Sequence, residues 1–352
     1  MGEGFNILSW FDNPEELLVI AGPCSVESEE QLMTTAMALA KLPEVKVLRG
    51  GIWKPRTMPM TFEGVGVKAF EWMRKAKETT GLLTMTEVAT PQHLEMALSY
   101  GIDMVWLGAR TVTNPFSVQE LADSMRGVEI PVFVKNPVAP DVKLWIGAIE
   151  RLSSAGIRHI AAIHRGFKDS ADTVYRNTPL WHLSVEMHRL MPEVPIITDI
   201  SHICGRRDLL QITAQKALDI ATDGFMIECH CNPDMALTDA EQQITPSRLE
   251  TLLGKLVIRN KKSSSDESVL ESLRERIDMI DNELLSLLSK RMQVSEEIGL
   301  FKKEHNVAVL QVDRWNKILN DRINKGMASG LDKHFVTEIF EAIHQESINR
   351  QL

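Results

Sequence analysis

Eight short apolar runs, spread over the first 259 residues and separated by amphipathic stretches, constrain this chain more than any other feature. They read "LLVIAG", "KVLRGG", "LLTMTEV", "MVWLGAR", "PVFVKNP", "HIAAIHRG", "PIITDISH" and "GFMIECH". Between them lie helical patterns such as "EEQLMTTAMALAKL", "PQHLEMALSYG", "KLWIGAIERLSSAG" and "RDLLQITAQKALDIA". Strand–helix alternation argues for parallel strands joined by crossover helices, the α/β class. Eight such units in roughly 250 residues fit a TIM (β/α)8 barrel better than an open sheet.

The pattern breaks at "NKKSSSDES", a polar low-complexity stretch that reads as a linker. Beyond it Leu270, Leu273, Ile277, Ile280, Leu284, Leu287, Val294 and Ile298 recur by threes, fours and one seven, the period of a long amphipathic helix. A helix near thirty-five residues is too long for a compact small domain, so it is expected to pack against a partner chain. Two shorter helical stretches follow, 312–325 and 332–351, around "GMASGLD". The expected organisation is a barrel over 1–259, a linker over 260–265 and an all-α three-helix domain over 266–352.

At 352 residues two domains are the natural expectation. The net charge of −9, from 39 Lys+Arg against 48 Asp+Glu, argues against nucleic acid or an anionic membrane as partner. Cys24, Cys204, Cys229 and Cys231 are too few and scattered for a disulfide scaffold, and no C-x-x-C pair occurs. No basic leader with an apolar segment follows Met1, no 18 apolar residues run uninterrupted, and Asn6 stands where a myristoylation signal wants Ser or Thr. A reducing cytoplasm is the expected setting.

In a TIM barrel chemistry sits at the C-terminal ends of the strands. In order those ends offer Cys24, Arg49, Glu87, Arg110, Lys135, His164 with Arg165, His202 and Glu228; "KPRT" follows the second run and Asp239 the eighth. Any one of these reads as a solvated loop charge, but the whole set does not. Arg49, Lys54, Arg56, Arg110, Lys135 and Arg165 suit phosphate and carboxylate, which implies heavily anionic, phosphorylated ligands. Cys24, His202, Glu228 and Asp239 offer a sulfur, a nitrogen and two carboxylates, a mixed set that suits a divalent transition metal rather than Mg or Ca. A rival cluster of Cys229, His230, Cys231 and Cys204 is disfavoured, because alternation turns Cys229 and Cys231 away from Glu228.

The series "AGPCSVES", "LRGGIWKPRT", "WLGART", "VFVKNP", "IHRGF", "DISHICG", "IECHCNP" and "ALTDAEQQ" resembles the successive signatures of the DAHP synthase family, over about residues 5–259. The resemblance is to its type I beta branch, and "KPRT" favours erythrose 4-phosphate over the pentose phosphate of the related eight-carbon-acid synthase. It implies that phosphoenolpyruvate is held by Arg49, Lys54, Gly108, Ala109, Arg110, Lys135 and Arg165. Erythrose 4-phosphate would use Pro55, Arg56 and Thr57, with its aldehyde polarised by a metal (Mn, Fe, Co or Zn). Lys135 is the candidate for moving a proton or holding the attacking water. Cys231 departs from the proline usual after the histidine of "IECH".

"LRERIDMIDNELLSLLSKRMQVSEEIGLFK", "VDRWNKIL" and "ESINRQL" are similar to the three helices of an AroQ-type chorismate mutase, an intertwined dimer. The likeness implies that Arg274 (from the partner), Arg291, Lys302, Arg314, Ser347 and Gln351 clamp chorismate and turn it into prephenate without covalent catalysis. Arg291 and Lys302 lie eleven apart, about three turns along one face. Trp315 replaces the acid that usually follows the Arg of "DR". Three readings stay open: a bifunctional enzyme, a tail that only dimerises and senses chorismate or prephenate, or a barrel that is some other metal-dependent aldolase. The fusion implies that either compound, bound to the tail, alters the rate of the barrel.

Overall fold

The computed structural model describes residues 17–54, 62–168, 173–258, 267–309 and 312–352. The chain divides into two compact units, Met1–Lys261 and Lys262–Leu352.

The first unit runs β1 (Leu18–Gly22), α1 (Glu29–Leu39), β2 (Val45–Arg49), α2 (Lys68–Thr80), β3 (Leu83–Val88), α3 (Pro91–Ser99) and β4 (Met104–Leu107). It continues with α4 (Ala109–Val112), α5 (Pro115–Ser124), β5 (Val132–Lys135), α6 (Val142–Ser154), β6 (Ile160–His164) and α7 (Trp181–Leu190). Then come β7 (Ile196–Asp199), α8 (Ile200–Cys204), α9 (Leu210–Asp219), β8 (Gly224–Glu228) and α10 (Pro246–Leu253). The strands follow in sequence order around a closed barrel, with β1 pairing parallel to β8. Each apolar run read from the sequence is one of these strands.

The runs are continuous rather than alternating because both faces of the sheet are buried. Leu18, Ile20, Val47, Met85, Trp106, Phe133, Ile163, Ile197 and Met226 fill the barrel interior. Val19, Ala21, Leu48, Val105, Val134, Ala162 and Ile227 meet the helices through Leu32, Phe70, Leu94 and Trp145. A Trp as buried as Trp145 is tolerated because its indole N–H donates to Val134 O at 2.9 Å.

The period of two places the chemistry. One step of two residues beyond an interior side chain, Val47 leads to Arg49, Met85 to Glu87, Phe133 to Lys135, Ile197 to Asp199 and Met226 to Glu228. All five therefore project inward at the C-terminal mouth. His164 does not. It shares the helix-facing side with Ala162, its Nε2 bonds to Pro179 O at 2.6 Å, and its ring meets Trp181 edge-on at 5.2 Å. Its place among the rim groups is thus corrected: it is an anchor beneath α7.

The second unit is all α: α11 (Glu267–Glu304), α12 (Val312–Ala328) and α13 (Lys333–Gln351). α12 runs to Ala328, three residues past the end expected from the sequence. α11 passes through Gly299, where a Cβ would lie 2.7 Å from Gln351 Cα; its absence lets α13 come close. The apolar stripe of α11 stays exposed within one chain, Ile277 at 58%, Ile280 at 62%, Leu284 at 53% and Leu287 at 63%. Among the described residues no helix is long and apolar enough to cross a membrane.

Candidate active site

At the barrel mouth Arg49 reaches across the interior, its Nη1 3.2 Å from Glu228 Oε1 and its Nη2 donating to Cys24 O at 3.3 Å. Lys135 Nζ pairs with Asp199 Oδ2 at 2.9 Å. Both cations lie over the Trp106 ring, at 4.9 and 5.6 Å from its centroid. The Trp106 indole N–H is itself held by Glu87 Oε2 at 3.0 Å. An indole face attracts cations, so Trp106 is a floor that holds two of them in a dry site. Glu87 also explains Gly108, where a Cβ would sit 2.2 Å from Glu87 Oε1. Gly108 and Ala109 open α4, which carries the exposed Arg110. Arg165 is half-buried, its backbone N–H bonded to Asn136 Oδ1 at 2.7 Å. Burial first, with Arg176 and Arg110 nearby, brings its guanidinium down to about 10. Pro55, Arg56 and Thr57 lie outside the described residues.

Beside this floor, Cys24 Sγ, a Glu228 oxygen and an Asp239 oxygen lie within 4.8 Å of one another, a group able to hold a metal ion. His202, expected as the fourth ligand, is not in that group, but its Nε2 lies 3.8 Å from Glu228 Oε1. Asp199 takes the other ring nitrogen, Nδ1, at 2.8 Å, which leaves Nε2 facing the site. Cys24 Sγ donates to Asp239 Oδ2 at 3.3 Å and accepts from Lys54 Nζ at 3.0 Å.

The electrostatics fit a cation here. Burial, then the Glu228 charge, pushes the Cys24 thiol up to about 12, so the sulfur stays neutral until something positive joins it. Burial would also raise Glu228, but His202 and Arg49 hold it below the usual carboxylate range. Glu228 Oε1 is buried between Arg49 Nη1 at 3.2 Å and His202 Nε2 at 3.8 Å and makes no well-aligned hydrogen bond, which leaves it open to a further cation. Asp239 sits at φ 47°, in the left-handed region, the kind of strain that marks functional sites. The donor set of sulfur, imidazole and carboxylate thus accepts a first-row divalent ion.

The rival sulfur cluster does not assemble. Cys204 Sγ bonds to Thr213 Oγ1 at 3.2 Å, and Cys229 is fully buried. His230 is a core residue: its Nδ1 accepts from Asn232 N at 2.9 Å and its Nε2 lies 3.6 Å from Glu27 Oε2.

The strand-end reading missed Asp199 and Trp106. Asp199 is the last residue of β7, fully buried, and linked to both Lys135 and His202. Burial raises its carboxyl, but His202 and Lys135 outweigh that and keep it well below its ordinary value. The parity rule that finds Glu228 would have found it.

In the helical unit Arg291 of α11 donates to Ser347 Oγ of α13. One face away, Lys302 Nζ donates to Gln351 Oε1 at 2.9 Å and to Val309 O at 2.6 Å. Four of the six expected residues therefore meet between α11 and α13. Arg314 lies exposed at the start of α12. Arg274 is paired with Glu271 on its own helix at 3.3 Å, and seventeen residues of helix put it about 25 Å from Arg291. Trp315 stacks flat on His344, centroids 3.7 Å apart and planes at 6°. Burial, then the Arg291 charge, lowers the His344 imidazole.

The fold and site define a class: a closed parallel (β/α)8 barrel whose mouth gathers buried cations around a thiol and carboxylates that could hold a metal ion. The DAHP synthetase I family model matches residues 12–263, and the chain belongs to that family. The chorismate mutase type II model matches residues 273–352. A phospho-2-dehydro-3-deoxyheptonate aldolase of Thermotoga maritima is 35% identical over 226 residues, 64% of each chain, so this chain spans under two thirds of that relative's length. A crystal structure of that organism's enzyme matches with a TM-score of 0.62 and 31% identity, covering 68% of both chains. The tail is 34% identical over 87 residues to a bifunctional chorismate mutase/prephenate dehydratase of Escherichia coli, covering 25% of this chain and 22% of that one.

Proposed function

We propose that the barrel condenses phosphoenolpyruvate with erythrose 4-phosphate to give DAHP and phosphate, and that the helical unit rearranges chorismate to prephenate. The observation that carries the first half is the convergence at one mouth of Arg49, Lys54 and Lys135 with Cys24, Glu228 and Asp239. We assign the barrel to 1–259, the linker to 260–265 and the mutase to 266–352. All four cysteines are free, which suits a cytoplasmic enzyme.

Arg49, Lys54, Arg110, Lys135 and Arg165, with the Gly108 and Ala109 backbone, bind the phosphate and carboxylate of phosphoenolpyruvate. Pro55, Arg56 and Thr57 take erythrose 4-phosphate. Cys24, His202, Glu228 and Asp239 would hold a divalent transition metal, which supplies Lewis-acid polarisation of an aldehyde when bound. C3 of phosphoenolpyruvate forms the new bond to the aldehyde carbon, whose oxygen takes a proton. Water adds to C2, and the C2–O bond to phosphate breaks. Lys135, fixed between Asp199 and the Trp106 floor, handles the proton or orients that water. Supplying both substrates should release phosphate and the seven-carbon product in equal amounts; phosphate release that ignores erythrose 4-phosphate would reject this substrate pair.

In the helical unit Arg291, Lys302, Arg314, Ser347 and Gln351 clamp the dicarboxylate and place charge beside the breaking ether oxygen. Arg274 completes the site of a second copy, because its own chain leaves it too far away, and the exposed stripe of α11 is the dimer contact. The Trp315–His344 stack favours a second reading, a tail that only dimerises and senses chorismate or prephenate. Prephenate formation by the full-length chain above the uncatalysed rate selects the mutase; its absence, with the barrel's rate still responding to prephenate, selects the sensor.

A further inference from the structure

Each carboxylate of the metal group has one oxygen in a hydrogen bond outside the group. Glu228 Oε2 accepts from Gln242 Nε2 at 2.6 Å, while Oε1 lies 3.2 Å from Arg49 Nη1 and 3.8 Å from His202 Nε2. Asp239 Oδ1 accepts from Arg176 Nη1 at 3.0 Å, while Oδ2 is the atom at Cys24 Sγ. The same Arg176 nitrogen donates to Gln242 Oε1 at 2.6 Å. Gln242, 1% exposed, therefore links the two acids through one amide and one guanidinium. Its neighbour Gln243, fully buried, takes the Cys24 backbone N–H at 3.0 Å and donates to Thr238 O at 2.8 Å, tying the sulfur's loop to the loop of Asp239.

We propose that Gln242, braced by Arg176, is a positioning residue that decides which carboxylate oxygens face the bound metal and how tightly it is held. Only a primary amide does both jobs at this point, since the carboxylate needs a donor and the guanidinium an acceptor. A leucine of similar size meets neither need. It leaves Glu228 held only through Oε1, by Arg49, with Oε2 unpaired, and leaves Arg176 tied to Asp239 alone. The inference rests on Cys24, His202, Glu228 and Asp239 being the ligands.

The test is a titration of Co²⁺ into metal-stripped full-length protein, following the thiolate-to-cobalt absorption and competing with a chelator. Wild type should bind one Co²⁺ per chain. Gln242→Leu should weaken that binding 10- to 100-fold, the usual effect of losing a partner of a metal ligand, with the melting temperature of the metal-free protein unmoved. Arg176→Met, at a side chain 46% exposed and thus tolerant of change, should shift it the same way by less and serves if the leucine variant does not fold. Wild-type affinity in both variants overturns the proposal alone. A wild type without stoichiometric Co²⁺ binding overturns the ligand reading beneath it.

Discussion

The barrel mouth and the helical site are built on opposite economies of burial. In the barrel Arg49, Asp199 and Glu228 are at most 1% exposed, and every one of them has a charged neighbour from a different strand. In the helical unit the described buried residues are few, Ser295, Gly299, Val336 and Ser347, while a long apolar stripe faces outward. A site assembled from eight strand ends can close itself within one chain. A site on three helices leaves an apolar stripe uncovered and one cation stranded, and a second copy would supply what is missing. The two sites should therefore fail independently and for different reasons.

The sharpest break is at the sulfur. Cys24→Ser should lower DAHP formation about 10³-fold, the several kcal/mol that a polarising ion supplies, while leaving circular dichroism and prephenate formation intact. Normal activity at ordinary metal levels would remove Cys24 from the ligand set.

Burial also makes the barrel sensitive to acid. His164 is fully buried, and desolvation lowers its imidazole to about 4, below the ordinary value near 6.5. The folded state thus resists a proton that the unfolded chain accepts. Its contribution is whole above pH 6.5 and is lost as pH falls toward 4, about 3 kcal/mol in all. His164→Gln should flatten the fall in barrel stability across that window in denaturant titrations. A slope identical to wild type would show that other buried groups carry it. His344 on α13 is half-buried and lowered by burial first, so the helical transition should shift with the same sign.

Much of this contrast was legible in the sequence and some was not. Eight runs and the rule that chemistry sits at strand ends gave the barrel, Arg49, Lys135 and Glu228. That rule overreached at His164, which strand parity turns toward the helices, and passed over Asp199, which the same parity turns inward. Gln242 and Gln243 stand in the quoted "ALTDAEQQ", yet neither they nor Arg176 could be given a role, because outside strands and long helices no period links sequence to direction and partners lie 5 to 219 residues away. Trp106 read as core, which it is; that two cations rest on it depends on two other strands. In the tail, spacing gave the stripe and the likeness to AroQ-type mutases implied that Arg291 and Lys302 share a site with Ser347 and Gln351, whereas the Trp315–His344 stack needed coordinates.

Arg291→Ala tests the independence from the other side. Prephenate formation should fall about 10²-fold, the usual loss when a preorganised donor to developing charge is removed, and DAHP formation should stay within twofold. A matching fall in both would mean that the barrel depends on the clamp in the tail.

The smallest expected effect concerns the stripe itself. Leu284 is 53% exposed on α11 with Leu287 and Ile280 beside it, and burying such a side chain is worth about 2 kcal/mol. Leu284→Glu should raise the dimer dissociation constant about 30-fold in sedimentation equilibrium. Dilution should then cost the variant its mutase rate at concentrations where wild type keeps it, because Arg274 would no longer reach a second site. DAHP formation should not change with dilution over that range. A variant that dissociates yet keeps prephenate formation would place the whole mutase site within one chain, and Arg274 would be a surface charge paired with Glu271 and nothing more.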